Sequence, residues 1–145
     1  MLIILDTNVV SELMQPQPSS VVLKWISQAR KENHQFRITT ITLAELLYGI
    51  ELLPEGKRRA SLLAGAESMF DKVFAGRILP FDEQAARAFS RISAARRLRG
   101  HPISEFDAQL VAIALSLGAV LATRNTADFE GCGVRLLNPW QALET

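Results

Sequence analysis

A run of four apolar residues, Leu2–Leu5, ends directly at the acid Asp6. A continuous apolar run of this length is typical of a strand buried on both faces, as the strands of parallel sheets are. Two further apolar runs lie at residues 119–123 and 134–137, and segments with helical spacing separate the runs. Strands that alternate with helices predict an α/β fold with a mainly parallel sheet.

The predicted helices have recognisable ends. Thr42 and Glu45 have the T-x-x-E spacing of a capping box, which predicts a helix from Thr42 to about residue 53. Ser104 is a predicted N-cap, and Gly100 and Gly118 are predicted helix ends. The other predicted elements are helices at 7–14, from 19 or 20 onward, at 57–75 and at 82–99, a strand at 37–39, and a strand or extended link at 77–79.

The composition is that of an ordinary globular domain. Hydrophobic residues make up 48% of the 145 residues, and 16 Lys plus Arg against 15 Asp plus Glu give a formal charge of +1. We therefore expect one domain over residues 1–145 and no generally basic nucleic-acid surface, although a local basic patch is compatible with this balance. Cys132 is the only cysteine, which excludes a disulfide scaffold. Because the sequence shows neither a basic leader nor an apolar run of about 20 residues, we expect a cytoplasmic protein without membrane contact.

Four acids are expected to meet at one edge of the sheet. Ligands of open α/β sheets bind at the carboxyl ends of the strands. Asp6 follows the first apolar run, Asp128 lies in the loop after residues 119–123, and Glu45 and Asp107 lie in the first turn of predicted helices. Each acid also has a structural explanation, since Asp and Glu at these places cap helices or turns.

A cluster of carboxylates is costly unless a cation offsets it, because buried carboxylates lose hydration and repel one another. Mg²⁺ and Mn²⁺ prefer oxygen ligands, and Mg²⁺ usually keeps several waters, which leaves room for a phosphate oxygen and an attacking water. The four acids therefore indicate metal-assisted phosphoryl chemistry.

Other chemistries lack their motifs. The sequence has no G-x-x-x-x-G-K-[ST] loop and no G-x-S-x-G elbow. Residues 131–133 form a lone G-x-G before a predicted strand, and His34 and His101 stand without metal-binding spacing. These observations disfavour a P-loop NTPase, a serine hydrolase, a dinucleotide site and a zinc centre.

An ordered set of motifs resembles that of the PIN-domain ribonucleases. The motifs are LDTN at 5–8, ITLAEL with YG at 41–49, IS and DAQ at 103–109, and LATRN with DF at 121–129. The segments GRILPFD at 76–82 and NPW at 138–140 resemble the VapC toxins, particularly their FitB-like branch. Any one motif is weak, but the ordered set covers nearly the whole chain.

The resemblance implies an α/β/α sandwich with a short, mainly parallel sheet, and a Mg²⁺- or Mn²⁺-dependent endoribonuclease that cuts RNA. It also implies a small DNA-binding antitoxin whose tail blocks the acidic cleft, with operator DNA contacted only through that antitoxin. Homodimers or larger assemblies are the family expectation.

Carried over by position, Asp6 and Asp107 are the expected metal ligands, and Glu45 completes the cluster or acts on the metal-bound water. Many relatives have Asp two residues after the Thr of the fourth motif, where this chain has Asn125. Asn125 can coordinate through its carbonyl but brings no charge. Asp128 either compensates or only shapes the loop, so a second metal site stays open.

Other polar residues are candidates for supporting roles. Hydrogen bonds from neighbouring side chains commonly orient carboxylate ligands, with simple helix capping as the alternative. Arg124 is either a phosphate contact or a solvated loop arginine, and Arg96 and Arg97 are either a phosphate-contacting patch or partners of a helix dipole. The expected orienting residues are Thr7, Asn8 and Thr123.

Two other functions remain open. One is a non-catalytic partner of a DNA-binding regulator in an autorepressing complex, which the missing charge at Asn125 favours. The other is a phosphatase of the haloacid-dehalogenase type, which also begins with Asp after a strand. Those enzymes need D-x-D, whereas Asp6 is followed by Thr7 and Asn8, so this function is disfavoured.

Overall fold

The computed structural model describes residues 1–141, and its strands form a parallel sheet. The strands are β1 (Leu2–Leu5), β2 (Gln35–Thr39), β3 (Ile78–Leu79), β4 (Val120–Ala122) and β5 (Leu136–Leu137). Their order in the sheet is β3-β2-β1-β4-β5, and every neighbouring pair is parallel. The prediction of a mainly parallel sheet is confirmed. The central Ile3 pairs with Phe36 on one side and with Val120 on the other.

Helices cover both faces of the sheet. Ile3 and Leu5 of β1 face a core formed with the first four helices, and Ile4 faces a second core formed with the last two. Alternate residues of one strand thus enter different cores, which explains why the run is continuously apolar. The helices are α1 (Thr7–Leu13), α2 (Ser20–Lys31), α3 (Thr40–Glu51), α4 (Lys57–Ser68), α5 (Glu83–Leu98) and α6 (Glu105–Leu117).

Local capping explains several helix ends. Ser19, Asp82 and Ser104 each accept a hydrogen bond from a backbone amide of the first turn that follows, as N-caps do. Gly118 ends α6 in the left-handed conformation, with φ of 63°, where a glycine avoids the steric cost of a side chain.

Two predictions about helices are wrong. The capping box of Thr42 and Glu45 does not form, because Thr39 caps α3 and accepts from the Thr42 amide at 3.2 Å. The helix therefore begins at Thr40, and Glu45 lies in its second turn. The helix expected at residues 57–75 also ends early, at Ser68, and a π-helical turn, Met69–Val73, follows it.

The strand order reverses between β1 and β4. The chain builds β1, β2 and β3 toward one edge and then returns to place β4 and β5 on the other side of β1. Ligands bind at such a reversal, at the carboxyl ends of the strands, because the connecting segments diverge there and leave a crevice. In the described part of the chain, no helix has the length and apolarity needed to cross a membrane.

Candidate active site

Asp6 lies at the strand reversal, directly after β1. Its backbone amide donates to the Ala122 carbonyl of β4 at 2.9 Å, so the two central strands hold it in place. Its Oδ1 accepts from the Thr7 amide at 2.6 Å, and its Oδ2 accepts from the Thr123 hydroxyl at 2.7 Å. Asn8 Nδ2 also donates to Oδ2, at 3.4 Å. Only 5% of Asp6 is exposed, so these donors replace most of its lost hydration.

Thr123 connects the ends of β1 and β4. Its side chain is fully buried, and its hydroxyl donates to Asp6 and accepts from the Asn125 amide at 3.1 Å. Asn8 bridges the same two segments, because its Oδ1 accepts from the Arg124 amide at 3.3 Å. The predicted orienting role of Thr123 and Asn8 toward Asp6 therefore has a geometric basis in these bonds.

Glu45 reaches the same place from α3. The Thr7 hydroxyl donates to Glu45 Oε1 at 2.6 Å. Since Thr7 has one hydroxyl proton, the buried Thr42 hydroxyl must be the donor in the 3.1 Å contact between the two threonines. A chain of two hydrogen bonds, from Thr42 to Thr7 and from Thr7 to Glu45, thus fixes one oxygen of the Glu45 carboxylate.

Asp107 comes from the third segment, the first turn of α6. Ser104 is the N-cap, and its hydroxyl accepts from the Asp107 amide at 3.2 Å. The predicted cap and first-turn position of Asp107 are confirmed. The chain separation between Asp6, Glu45 and Asp107 is large, yet all three line one cleft of about 880 Å³. Glu12 and Asn125 line it as well.

Burial perturbs two of the acids. The pKa of Asp6 is raised to about 6. The largest cause is the loss of hydration on burial; the hydrogen bonds from Thr123 and Thr7 lower the pKa, and the charges of Asp107 and Glu45 raise it. Burial also raises the pKa of Asp107, and the charges of Glu45 and Asp128 act in the same direction, while the Ser104 hydroxyl lowers it. The acids are thus close enough to raise one another's pKa.

The donor set fits a hard divalent cation. Within residues 1–141, no three Asp, Glu, His or Cys side chains are gathered tightly enough to form a complete ready-made metal site. The cleft instead offers carboxylates from three separate elements and the amide of Asn125. An oxygen-only set that is incomplete by itself suits Mg²⁺ or Mn²⁺, since Mg²⁺ usually keeps several of its waters.

Comparison with known proteins identifies the family. The model of the PIN domain matches residues 3–131. The chain belongs to the PIN-domain family. Three relatives that match it almost from end to end are bacterial proteins.

Plasmid stability protein StbB of Pseudomonas syringae pv. tomato is 41% identical over 97% of this chain and 100% of its own length. VapC ribonuclease Y4jK of Sinorhizobium fredii is 38% identical over 97% of this chain and 99% of its own. Toxin FitB of Neisseria gonorrhoeae is 37% identical over 96% of this chain and 99% of its own. The predicted resemblance to VapC toxins and their FitB-like branch is therefore confirmed.

A solved structure agrees with the sequence match. The structure of FitAB bound to an IR36 DNA fragment superimposes on this PIN domain with a TM-score of 0.79, at 37% identity and with 95% of each chain covered. The predicted α/β/α architecture is confirmed by this neighbour together with the observed sheet and helices.

The PIN domain does not bring every candidate residue into the cleft. Asp128 is exposed on a 3₁₀ turn, Thr126–Phe129, and is not part of the lining, whereas Asn125 is. Arg96 is outside the lining because its guanidinium donates to backbone carbonyls, including that of Asp128 at 3.0 Å. Arg97 is exposed at the end of α5 and also lies outside the lining.

Glu12 and Trp140 are among the lining residues that were not predicted. Glu12 is half-buried in the cleft, and its Oε2 accepts from the Ser19 amide at 3.3 Å. Its position four residues after Asn8, on the same face of a helix, is the signal that predicts it. Trp140 also lines the cleft, and the centre of its ring lies 4.8 Å from the Arg124 guanidinium carbon.

Proposed function

We propose that this PIN domain is a metal-dependent endoribonuclease and the toxin of a type II toxin–antitoxin pair. The observation that carries the proposal is the convergence of Asp6, Glu45 and Asp107 in one cleft at the strand reversal. Several relatives bear names that agree with this activity, among them VapC ribonuclease Y4jK and toxin FitB.

The proposed cation is Mg²⁺ or Mn²⁺, and Asp6 and Asp107 would hold it. When bound, it supplies stabilisation of charge on a phosphate oxygen and a lower pKa for a coordinated water. Glu45 is proposed to complete the acidic set. Asn125 is the better fourth candidate because it lines the cleft, whereas Asp128 lies outside the lining and acts on Asp107 through its charge.

The surrounding hydroxyls are proposed to keep the carboxylates in fixed orientations. Thr7 holds Glu45 with its hydroxyl and Asp6 with its amide, so a single residue positions both acids. Thr123 and Asn8 hold the other oxygen of Asp6. Such fixed carboxylates need little rearrangement as negative charge develops on the substrate, which favours the reaction.

Arg124 is proposed to contact the RNA backbone beside the acids. It lines the cleft, and its guanidinium lies over the ring of Trp140. Two backbone contacts fix its segment: its amide donates to Asn8, and its carbonyl accepts from Asn138 Nδ2 at 3.4 Å. A cation over an aromatic ring is restrained in direction, and here the restrained cation is beside the cleft where a phosphate would enter.

The direct test is cleavage of total cellular RNA by protein free of any antitoxin, in Mg²⁺ and in Mn²⁺. We expect discrete fragments from the wild type, which are lost on addition of EDTA. Asp6→Asn and Asp107→Asn should each reduce the rate by about 100-fold or more, since metal-assisted charge stabilisation is worth several kcal/mol. Both variants keep the size of the original side chain while they remove its negative charge.

A matched control is Asp71→Asn, which removes an exposed acid outside the cleft and should cleave at the wild-type rate. Full cleavage by both cleft variants would contradict the proposal. If the wild type neither cuts RNA nor binds divalent cations in calorimetry, the non-catalytic partner of a DNA-binding regulator becomes the better description.

We also propose that the chain pairs with a small DNA-binding antitoxin and that operator DNA is contacted through that partner. The support is the structural similarity to FitAB bound to an IR36 DNA fragment. Co-expression with a small DNA-binding protein that is a candidate antitoxin should give a complex that shifts operator DNA, whereas the isolated chain should not. A shift by the isolated chain alone would contradict this arrangement.

A further inference from the structure

A second cavity, of about 390 Å³, lies on the α2 side of the sheet and shares no lining residue with the acidic cleft. Its walls come from the last turns of α2, the beginning of β2, the π-helical turn and Arg77 just before β3. We call it the basic cavity. Its volume is in the range of small-molecule sites.

The charged groups of the basic cavity are all positive. Arg30, Arg37 and Arg77 line it, and no carboxylate does. Within residues 1–141, none of these arginines takes part in an ion pair. Arg37 donates from one nitrogen to the Phe36 carbonyl of β2 at 2.8 Å, and from another to Gln35 Oε1 at 3.5 Å. Three guanidinium groups without a facing acid leave an excess of hydrogen-bond donors around one space.

His34 adds an unsatisfied polar atom at the same place. Its Nε2 lies 3.4 Å from the Glu32 carboxylate, while its Nδ1 is buried and has no hydrogen-bond partner within the described chain. Buried polar atoms are nearly always paired; this one is inaccessible to solvent and so does not face the cavity, and it is an unpaired polar group within the wall. The backbone carbonyls at the end of α2 are not partners of His34 Nδ1. Those of Ala29 and Arg30 accept instead from the backbone amides of His34 and Asn33.

Apart from the arginines, His34 and Gln35, the lining is apolar. Leu5, Phe36 and Phe74 are almost fully buried and contribute to the wall, and the exposed Val73 stands among the lining residues. The cavity therefore combines a hydrophobic wall with several cationic groups, as pockets for small organic molecules do. A purely inorganic anion would leave the hydrophobic part unused.

We propose that the basic cavity binds a small organic anion, with its phosphate or carboxylate group at Arg30, Arg37 and Arg77 and its apolar body against Phe36 and Phe74. Guanidinium groups recognise both head groups through paired hydrogen bonds. The proposal does not depend on the ribonuclease activity, since none of these residues belongs to the acidic cleft.

The test is isothermal titration calorimetry of the full chain with four probes: phenyl phosphate, phenylacetate, inorganic phosphate and the uncharged 2-phenylethanol. We expect at least one of the two phenyl anions to bind about tenfold or more tightly than both inorganic phosphate and 2-phenylethanol. Whichever of the two phenyl anions binds more tightly identifies the preferred head group. No heat of binding from either phenyl anion at millimolar concentration would overturn the proposal, as would equal affinity for inorganic phosphate.

Variants locate the binding. Arg30→Gln and Arg77→Gln change exposed side chains. Each should weaken the binding of the phenyl anion about tenfold, because one charged hydrogen bond is lost. Arg91→Gln, an exposed arginine of α5 outside the cavity, should bind as the wild type does. Unchanged affinity in both cavity variants would overturn the proposal. Much tighter binding of a short peptide that ends in phenylalanine than of phenylacetate would also overturn it, in favour of a protein tail.

Discussion

The acidic cleft and the basic cavity hold their charges in opposite ways. Asp6 is buried, and its two oxygens accept three hydrogen bonds from neighbouring groups. Arg30 and Arg77 are exposed on the rim of the basic cavity and have no ion-pair partner in the described chain. The cleft therefore fixes its charges in place at a cost in stability, whereas the basic cavity leaves its charges hydrated and adaptable until something binds.

The position of each site in the topology explains this difference. The cleft forms where β1 and β4 diverge, so strand ends deliver Asp6 and Thr123 to fixed positions deep in the molecule. The basic cavity forms beside the beginning of β2, where helix ends and turns supply long flexible side chains. A fixed acidic site suits catalysis, which needs groups in defined orientations, while an adaptable basic site suits binding.

The largest effect that tests this comparison is on stability. In metal-free protein, Asp6 has a pKa of about 6 in the folded state, against an ordinary value of 3.8 for an aspartate. The folded state therefore holds this proton more tightly than the unfolded state. The tighter proton binding of folded Asp6 contributes about 3 kcal/mol to stability. This contribution is complete below pH 3.8 and is lost as the pH rises through 6.

Asp6→Asn does not titrate, so its stability relative to the wild type should rise by about 3 kcal/mol between pH 3.5 and pH 7.5. Urea unfolding with EDTA at both pH values measures this. Glu83→Gln, an exposed acid at the beginning of α5, is the control and should show no such pH-dependent gain. Added Mg²⁺ should stabilise the wild type more than the variant. An equal stability difference between variant and wild type at both pH values would mean that the cleft does not raise the pKa of Asp6.

The second effect concerns how firmly the cleft fixes its carboxylates. Thr123→Val removes the hydroxyl that donates to Asp6 Oδ2 at 2.7 Å while it keeps the shape of the side chain. We expect RNA cleavage to fall by about 10- to 100-fold, as on loss of a group that orients a metal ligand. Thr126→Val, three residues further on and outside the lining, is the matched control. Equal rates in the two variants would show that Asp6 needs no orientation by Thr123.

The fold and the acidic cleft differ from the basic cavity in how far the sequence predicts them. Continuous apolar runs predicted β1 and β4, and an acid directly after a strand predicted the place of Asp6. The sequence correctly predicted that Glu45 lies in the cleft, but it wrongly predicted that Glu45 lies in the first turn of its helix. A row of threonines offers several caps, and Thr39 rather than Thr42 fills that role, so Glu45 lies deeper in its helix than expected.

The residues that were not predicted are those set by packing between distant segments. Trp140 contacts Arg124 across a loop, and no local pattern encodes that contact. Arg30, Arg37 and Arg77 come from three segments without any motif, and each by itself has the pattern of a solvated surface residue. Periodicity and caps describe neighbours along the chain, whereas a cavity depends on how the elements are arranged in space.

The smallest expected effect is the change in stability when a charge is removed from the basic cavity. Arg77→Gln removes a charge from the basic cavity, and if that charge is hydrated and unpaired, the free energy of unfolding should change by less than about 0.5 kcal/mol, as at ordinary surface positions. Urea unfolding at pH 7.5 without added ligand measures this beside Asp6→Asn. A loss of more than about 1 kcal/mol would mean that the chain itself satisfies this arginine, and the two sites would then no longer differ in kind. A negligible change, together with the loss of affinity for the phenyl anion, would mean that Arg77 contributes to binding and not to folding.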